Sequence, residues 1–147
     1  MTAAAASVIV VGTDFSPAAD AALEATCRDA ATRDASIVLL HVNESWHNVE
    51  DDEVLVREID PPTWRRIKRE LAIRARRVTD LGLDCRTELL EGSPWSQIVE
   101  YARRIGAQRI VIGARRKNSG RRTFFTHVAE HVVRHAPCTV EVIPHDA

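Results

Sequence analysis

Short runs of β-branched and leucine residues alternate along this chain with longer stretches whose apolar positions recur every three or four residues. Residues 7–13 (SVIVVGT) are almost continuously apolar, the pattern of a strand buried on both faces. Asp14 to Ser16 interrupts the run, and Pro17 suits the first turn of a helix capped by Ser16. That helix is predicted to reach about Thr32 and to bury Ala18, Ala22, Leu23, Ala25 and Ala30. Residues 36–42 form a second predicted strand, and the acidic, aperiodic stretch 43–60 reads as a long loop. Pro61 or Pro62 opens a second helix with an apolar stripe of Ile67, Leu71, Ala75, Val78 and Leu81. Its other faces carry Arg65, Arg66, Lys68, Arg69, Arg74, Arg76 and Arg77, and Gly82 ends it.

The second half repeats the alternation. Residues 84–90 predict a third strand, Ser93 and Pro94 start a helix that Gly106 stops, and residues 109–113 predict a fourth strand. A basic loop covers 114–122, a fourth helix begins at Thr123 or Thr126 and ends at His135, and residues 139–143 predict a final strand. This order argues for an α/β fold: one doubly wound, mainly parallel sheet with helices on both faces, in a single domain spanning 1–147. Such sheets bind ligands beyond the carboxyl ends of the strands, where strand order reverses. The candidate segments are therefore Thr13 to Ser16 and Gly113 to His127.

Composition narrows the class. With 147 residues, 45% of them hydrophobic, the chain can bury a core without disulfide or metal staples. Cys27, Cys85 and Cys138 are far apart and form no CxxC pair, which fits reduced thiols in a cytoplasmic protein. No apolar run approaches the ~18 residues needed to span a bilayer, so no membrane partner is expected. The amino end has neither a positive residue nor a long apolar run, so a signal peptide is not expected either. The net charge of -1 is uneven: residues 1–64 hold 3 basic against 12 acidic side chains, and residues 65–147 hold 17 against 9. Solvated faces account for that asymmetry, and few aromatics with a near-neutral balance make nucleic acid an unlikely partner. An anion or RNA surface on residues 65–77 is the weaker alternative.

Two stretches carry a family resemblance. Residues 10–17 (VVGTDFSP) with Ala22-Leu23 behind them, and residues 110–113 (IVIG) followed by 128–140 (VAEHVVRHAPCTV), resemble the universal stress protein family over nearly the whole chain. The resemblance implies a five-stranded parallel sheet in the order 3-2-1-4-5, often dimerised through the last strand. It also implies, in many members, an adenine nucleotide between the first and fourth strands. Nucleotide-binding members carry a glycine, two residues, a glycine, nine residues, then Gly-Ser or Gly-Thr. Here Gly113 holds the first position, Arg116 replaces the second glycine, and Thr126 and His127 replace the final pair. Glycines there let backbone amides close on phosphate oxygens, and an arginine side chain obstructs that approach. Arg115, Arg116 and Lys117, with Arg121 and Arg122, offer compensating charge beside Ser119-Gly120.

The resemblance assigns adenosine contacts to Asp14 and the Val42 backbone and sets Gly113, Thr126 and His127 at phosphate-motif positions; Thr13, Val128 and the compensating Arg115, Arg116 and Lys117 complete the candidate nucleotide-binding residues. Asp14 could equally cap the following helix, although Ser16 is better placed.

The last helix also matches an H-x-x-E-H zinc-peptidase pattern at His127, Glu130 and His131, with His135 one turn on. Only twelve residues follow His135, too few for the distant third ligand, so no metal site is expected. His41 reads as a hydrogen-bonded sheet-end residue. No nucleophile elbow, P-loop or dinucleotide fingerprint is present, so catalysis has no positive support. Two readings compete: an ATP or AMP sensor with a degenerate phosphate loop, and a nucleotide-independent dimeric module that recruits an unknown protein partner. Either acts by binding rather than turnover. Strand 139–143 is the expected homodimer edge, with Pro144 limiting it to about five residues.

Overall fold

The computed structural model describes residues 7–44, 60–115 and 124–145; the side chains of 124–126 lie outside that description, as does most of the expected acidic loop. Nine elements alternate: β1 (Ser7–Gly12), α1 (Pro17–Arg33), β2 (Ala35–Glu44), α2 (Pro61–Asp80), β3 (Cys85–Gly92), α3 (Pro94–Ile105), β4 (Arg109–Arg115), α4 (Phe124–His135) and β5 (Thr139–His145). The strands form one sheet in the order β3-β2-β1-β4-β5, and every pairing is parallel.

Alternation along the strands sorts the core into two layers. Ile9, Val11, Ile37, Leu39 and Val111 point to α1 and α2, where Ala22, Leu23, Ile67, Leu71 and Val78 meet them. Val10, Val38, Leu40, Ile110 and Ile112 point the other way, onto Ile98, Tyr101, Val128 and Val132 of α3 and α4. The central strands are buried on both faces, which is why they read as continuous apolar runs. No described helix is long and apolar enough to cross a membrane.

Caps set the helix limits. Ser16 Oγ accepts from the Ala19 amide, and Asp60 Oδ2 accepts from the Thr63 amide. Ser93 occupies the α3 N-cap without a side-chain bond. Gly106, at φ +67, closes α3.

Several expected burials are corrected. Ala25 is only half-buried, because Thr26 and Cys27 take the core-facing positions of that turn. Leu81 is 68% exposed, since α2 has ended at Asp80 and the chain turns away through Gly82. On α4, where helical spacing predicts a buried face of Val128, Ala129, Val132, Val133 and Ala136, Val133 is instead 57% exposed, as Val132 fills the position against the sheet. Arg74, expected on a solvated face, is instead 8% exposed. The last strand also runs past Ile143, with Ala114 beside Pro144 and Arg115 beside His145. An edge strand pairs on one side only, so a proline is accommodated where its missing N–H faces the open side.

Candidate functional site

Strand order reverses between β1 and β4, and their carboxyl ends border a crevice of the kind in which doubly wound folds hold ligands. Val11 lies beside Val111, and continuing that register sets Thr13 level with Gly113. Thr13 is buried and fully engaged: its amide donates to Leu40 O (2.9 Å), its hydroxyl oxygen accepts from the Phe15 amide (3.0 Å), and its carbonyl accepts from His41 Nδ1 (2.8 Å). It shapes the turn.

Asp14 follows, half-buried. Its Oδ1 accepts from the Ser16 amide at 2.9 Å, an Asx turn, while its other oxygen has no hydrogen-bond partner among the described residues. Phe15 then adopts φ +66, a left-handed conformation that a bulky residue rarely takes. Its ring stacks on His41 with centroids 4.5 Å apart. Burial holds the His41 imidazole below its ordinary value, against the opposing pull of the Thr13 carbonyl and the Asp14 charge. A neutral ring with its proton on Nδ1 satisfies that carbonyl.

On the neighbouring strand, pairing with β1 stops at Leu40, so β2 extends past its neighbour at Val42, which is itself buried. Across the crevice, Gly113 has a reason unconnected with ligand. A Cβ there would lie 2.1 Å from Ala18 O and 2.9 Å from Ala19 N, because the first turn of α1 crosses directly over β4. Ala114 is half-buried and Arg115 is exposed at the strand end. Thr13, Asp14, Val42 and Gly113 are thus gathered at adjoining strand ends. Val128 is not available as a side chain, being 2% exposed in the core under α4. Arg116 and Lys117, and the side chain of Thr126, lie outside the described residues.

The α4 histidines form a ladder. His127 meets His131 edge to face at 4.4 Å, and the Trp95 ring of α3 covers both His131 (5.1 Å) and His135 (4.6 Å). The ladder packs α4 against α3, and among the described residues no group of three or more His, Cys, Asp or Glu could hold a metal ion. Burial raises all three cysteine thiols, Cys85 to about 11, which disfavours the thiolate a nucleophile requires.

The residue that sequence reasoning missed is Arg74. Its Nε and Nη2 reach both carboxylate oxygens of Asp20 (2.7 and 3.3 Å), Nη1 donates to Glu70 Oε2 (2.6 Å), and Nη2 also donates to Phe15 O (3.4 Å). The guanidinium carbon sits 4.9 Å from the Phe15 ring centroid. Seven cationic side chains decorate α2, and nothing local in the sequence singles this one out. Its spacing with Ile67, Leu71 and Val78 was the only available signal.

Comparison with known proteins agrees with this fold. A model described as the universal stress protein family matches residues 6–144. A universal stress protein of Methanocaldococcus jannaschii is 40% identical over 62 residues, a stretch covering 42% of this chain and 36% of that relative, so the match spans about a third of the relative's length. A universal stress protein family structure from Burkholderia pseudomallei superposes with a TM-score of 0.70 at 28% identity, covering 95% of this chain and 96% of that one. The Archaeoglobus fulgidus universal stress protein, solved in complex with dAMP, gives a TM-score of 0.69 at 20% identity over 95% and 98% of the two chains.

Proposed function

The chain belongs to the universal stress protein family, and we propose that it is an adenine-nucleotide sensor acting by binding rather than turnover. The observation that carries this reading is Asp14: a half-buried carboxylate at the strand-order reversal, fixed by one oxygen to the Ser16 amide, with its other oxygen unpartnered among the described residues. A ribose hydroxyl is the natural donor to such an oxygen. The overhanging backbone at Val42 suits an adenine edge. The dAMP bound by the Archaeoglobus relative supports the same class of ligand. Phosphates would then face the α4 amino end, whose free helix amides supply positive potential.

One observation favours the second reading, a nucleotide-independent interaction module. Gly113 is required by the Ala18 backbone alone, so its presence needs no phosphate. In either case the protein is a cytoplasmic homodimer joined along the open edge of β5, and occupancy or charge is read by a protein partner.

Isothermal titration with ATP and AMP, with and without Mg²⁺, separates the two. A saturable one-to-one heat supports the sensor, and no heat at millimolar nucleotide leaves the module. Arg116→Gly combined with Thr126→Gly should tighten ATP at least tenfold, about 1.4 kcal/mol, by opening backbone amides to the phosphates. An unchanged isotherm in the folded double variant rejects the obstruction by Arg116.

A further inference from the structure

Arg74 has more contacts than an ion pair between helices requires. Asp20 on α1 and Glu70 on α2 already balance its charge. The guanidinium nevertheless also donates to the Phe15 carbonyl and lies over the Phe15 ring, contacts that tie α2 to the turn between β1 and α1 rather than to a helix. Arg74 is also the only buried charged residue among the described residues. A buried guanidinium is retained where its planar fork must serve several acceptors at once, which an ammonium cannot do.

The turn it touches is held in an unfavourable shape. Phe15 sits at φ +66, where the Cβ of an L-residue crowds the following carbonyl. Two clamps oppose relaxation. His41 of β2 stacks on one side of the Phe15 ring and donates to Thr13 O, while Arg74 of α2 covers the ring and holds the Phe15 carbonyl. The residues before and after Asp14 are therefore each pinned from a different element. Asp14 completes the turn through the Ser16 amide, and the direction of its second oxygen follows from that frame. Were Phe15 to relax to negative φ, the 14–15 peptide would rotate and carry the carboxylate off the crevice.

From this geometry we propose that Arg74 is a positioning residue for nucleoside recognition: it holds Phe15 in the left-handed conformation so that Asp14 keeps its aim across the ends of β1 and β4. The proposal rests on the nucleotide-sensor reading. It adds a remote determinant on α2 that touches no part of the nucleotide.

The test compares Arg74→Lys in two backgrounds. Lysine keeps the charge for Asp20 and Glu70 but cannot also span Phe15 O. AMP affinity should fall about tenfold in Arg74→Lys. In a Phe15→Gly background, where glycine adopts positive φ unaided, the same substitution should change affinity less than twofold. A readout independent of nucleotide is hydrogen exchange at the Phe15 and Ser16 amides, both bonded inside the turn. Their exchange should accelerate at least tenfold in Arg74→Lys and not in the glycine background, with the interior amides of α1 unaffected. AMP binding of unaltered affinity in Arg74→Lys, or unaltered exchange, overturns the positioning role alone. No AMP or ATP heat with wild-type protein overturns the sensor reading beneath it. Should Arg74→Lys fail to fold, Phe15→Ala against Phe15→Gly carries the test: alanine resists positive φ and should bind AMP at least fivefold more weakly than glycine. Equal affinities in that pair reject the proposal.

Discussion

Replacing Gly113 with alanine places one methyl group against the backbone of α1. The new Cβ would stand 2.1 Å from Ala18 O and 2.5 Å from Ala18 C, where ordinary contact begins near 3.4 Å, so helix and strand must part by about 1.3 Å. Overpacking a core by a methylene typically costs about 1–3 kcal/mol. Here both partners are backbone, and no side chain can swing aside, so about 3 kcal/mol is the expected loss. For a domain of this size that lowers the melting temperature by roughly 6–12 °C. Gly12→Ala is the internal control, because its Cβ meets the flexible tip of Ile98 at 3.3 Å and Ile112 Cγ1 at an ordinary 3.9 Å and should cost within about 1 kcal/mol. Circular dichroism melts and urea titrations of both variants give the comparison. If Gly113→Ala melts within about 2 °C of wild type, or Gly12→Ala loses as much, the close approach of α1 to β4 is not what fixes this glycine.

Two further outcomes follow from the same structure. Burial lowers the His41 pKa in the fold, so the unfolded chain takes up that proton first as pH falls; stability is complete above about pH 6.5 and declines below it until the lower folded value is passed. Urea midpoints from pH 7.5 to 5 should show this decline, His41→Asn should flatten it, and parallel profiles would assign the acid sensitivity elsewhere. At the sheet edge, Val142→Pro removes a donor in the middle of β5 and should shift a homodimer toward monomer in light scattering. A monomer mass for the wild type at micromolar concentration would reject pairing through this edge.

Much of the fold was legible because its signals are local. Continuous apolar runs announced β1, β2 and β4, and Ser16-Pro17 and Ser93-Pro94 placed the starts of α1 and α3 within a residue. The strand ends that flank the order reversal between β1 and β4 could therefore be named without coordinates. What escaped was anything decided by partners far along the chain. Arg74 differs from its arginine neighbours only through Asp20 and Phe15, more than fifty residues away. Val132 and Val133 are chemically identical, and only the face that α4 turns to the sheet buries one and exposes the other. Gly113 looked like a phosphate-loop glycine, and only the path of α1 revealed its other duty. The positive φ of Phe15 left no mark at all, since the residue type argues against it.

The strand order also has a consequence for how the chain folds. β1 meets β2 after one helix, but its other neighbour, β4, is 100 positions away, as Ile9 pairs with Arg109. Loop-closure entropy grows with that separation, so the β1-α1-β2-α2-β3 half can assemble well before β4 docks. During synthesis the amino-terminal half emerges first, with one side of β1 unpaired. That side is the edge of Ile9, Val10 and Val11, residues that end up completely buried. An apolar edge with open amides is what recruits a strand from another molecule. Until Arg109 and the residues after it leave the ribosome, the future centre of the sheet is the most adhesive border of the nascent chain.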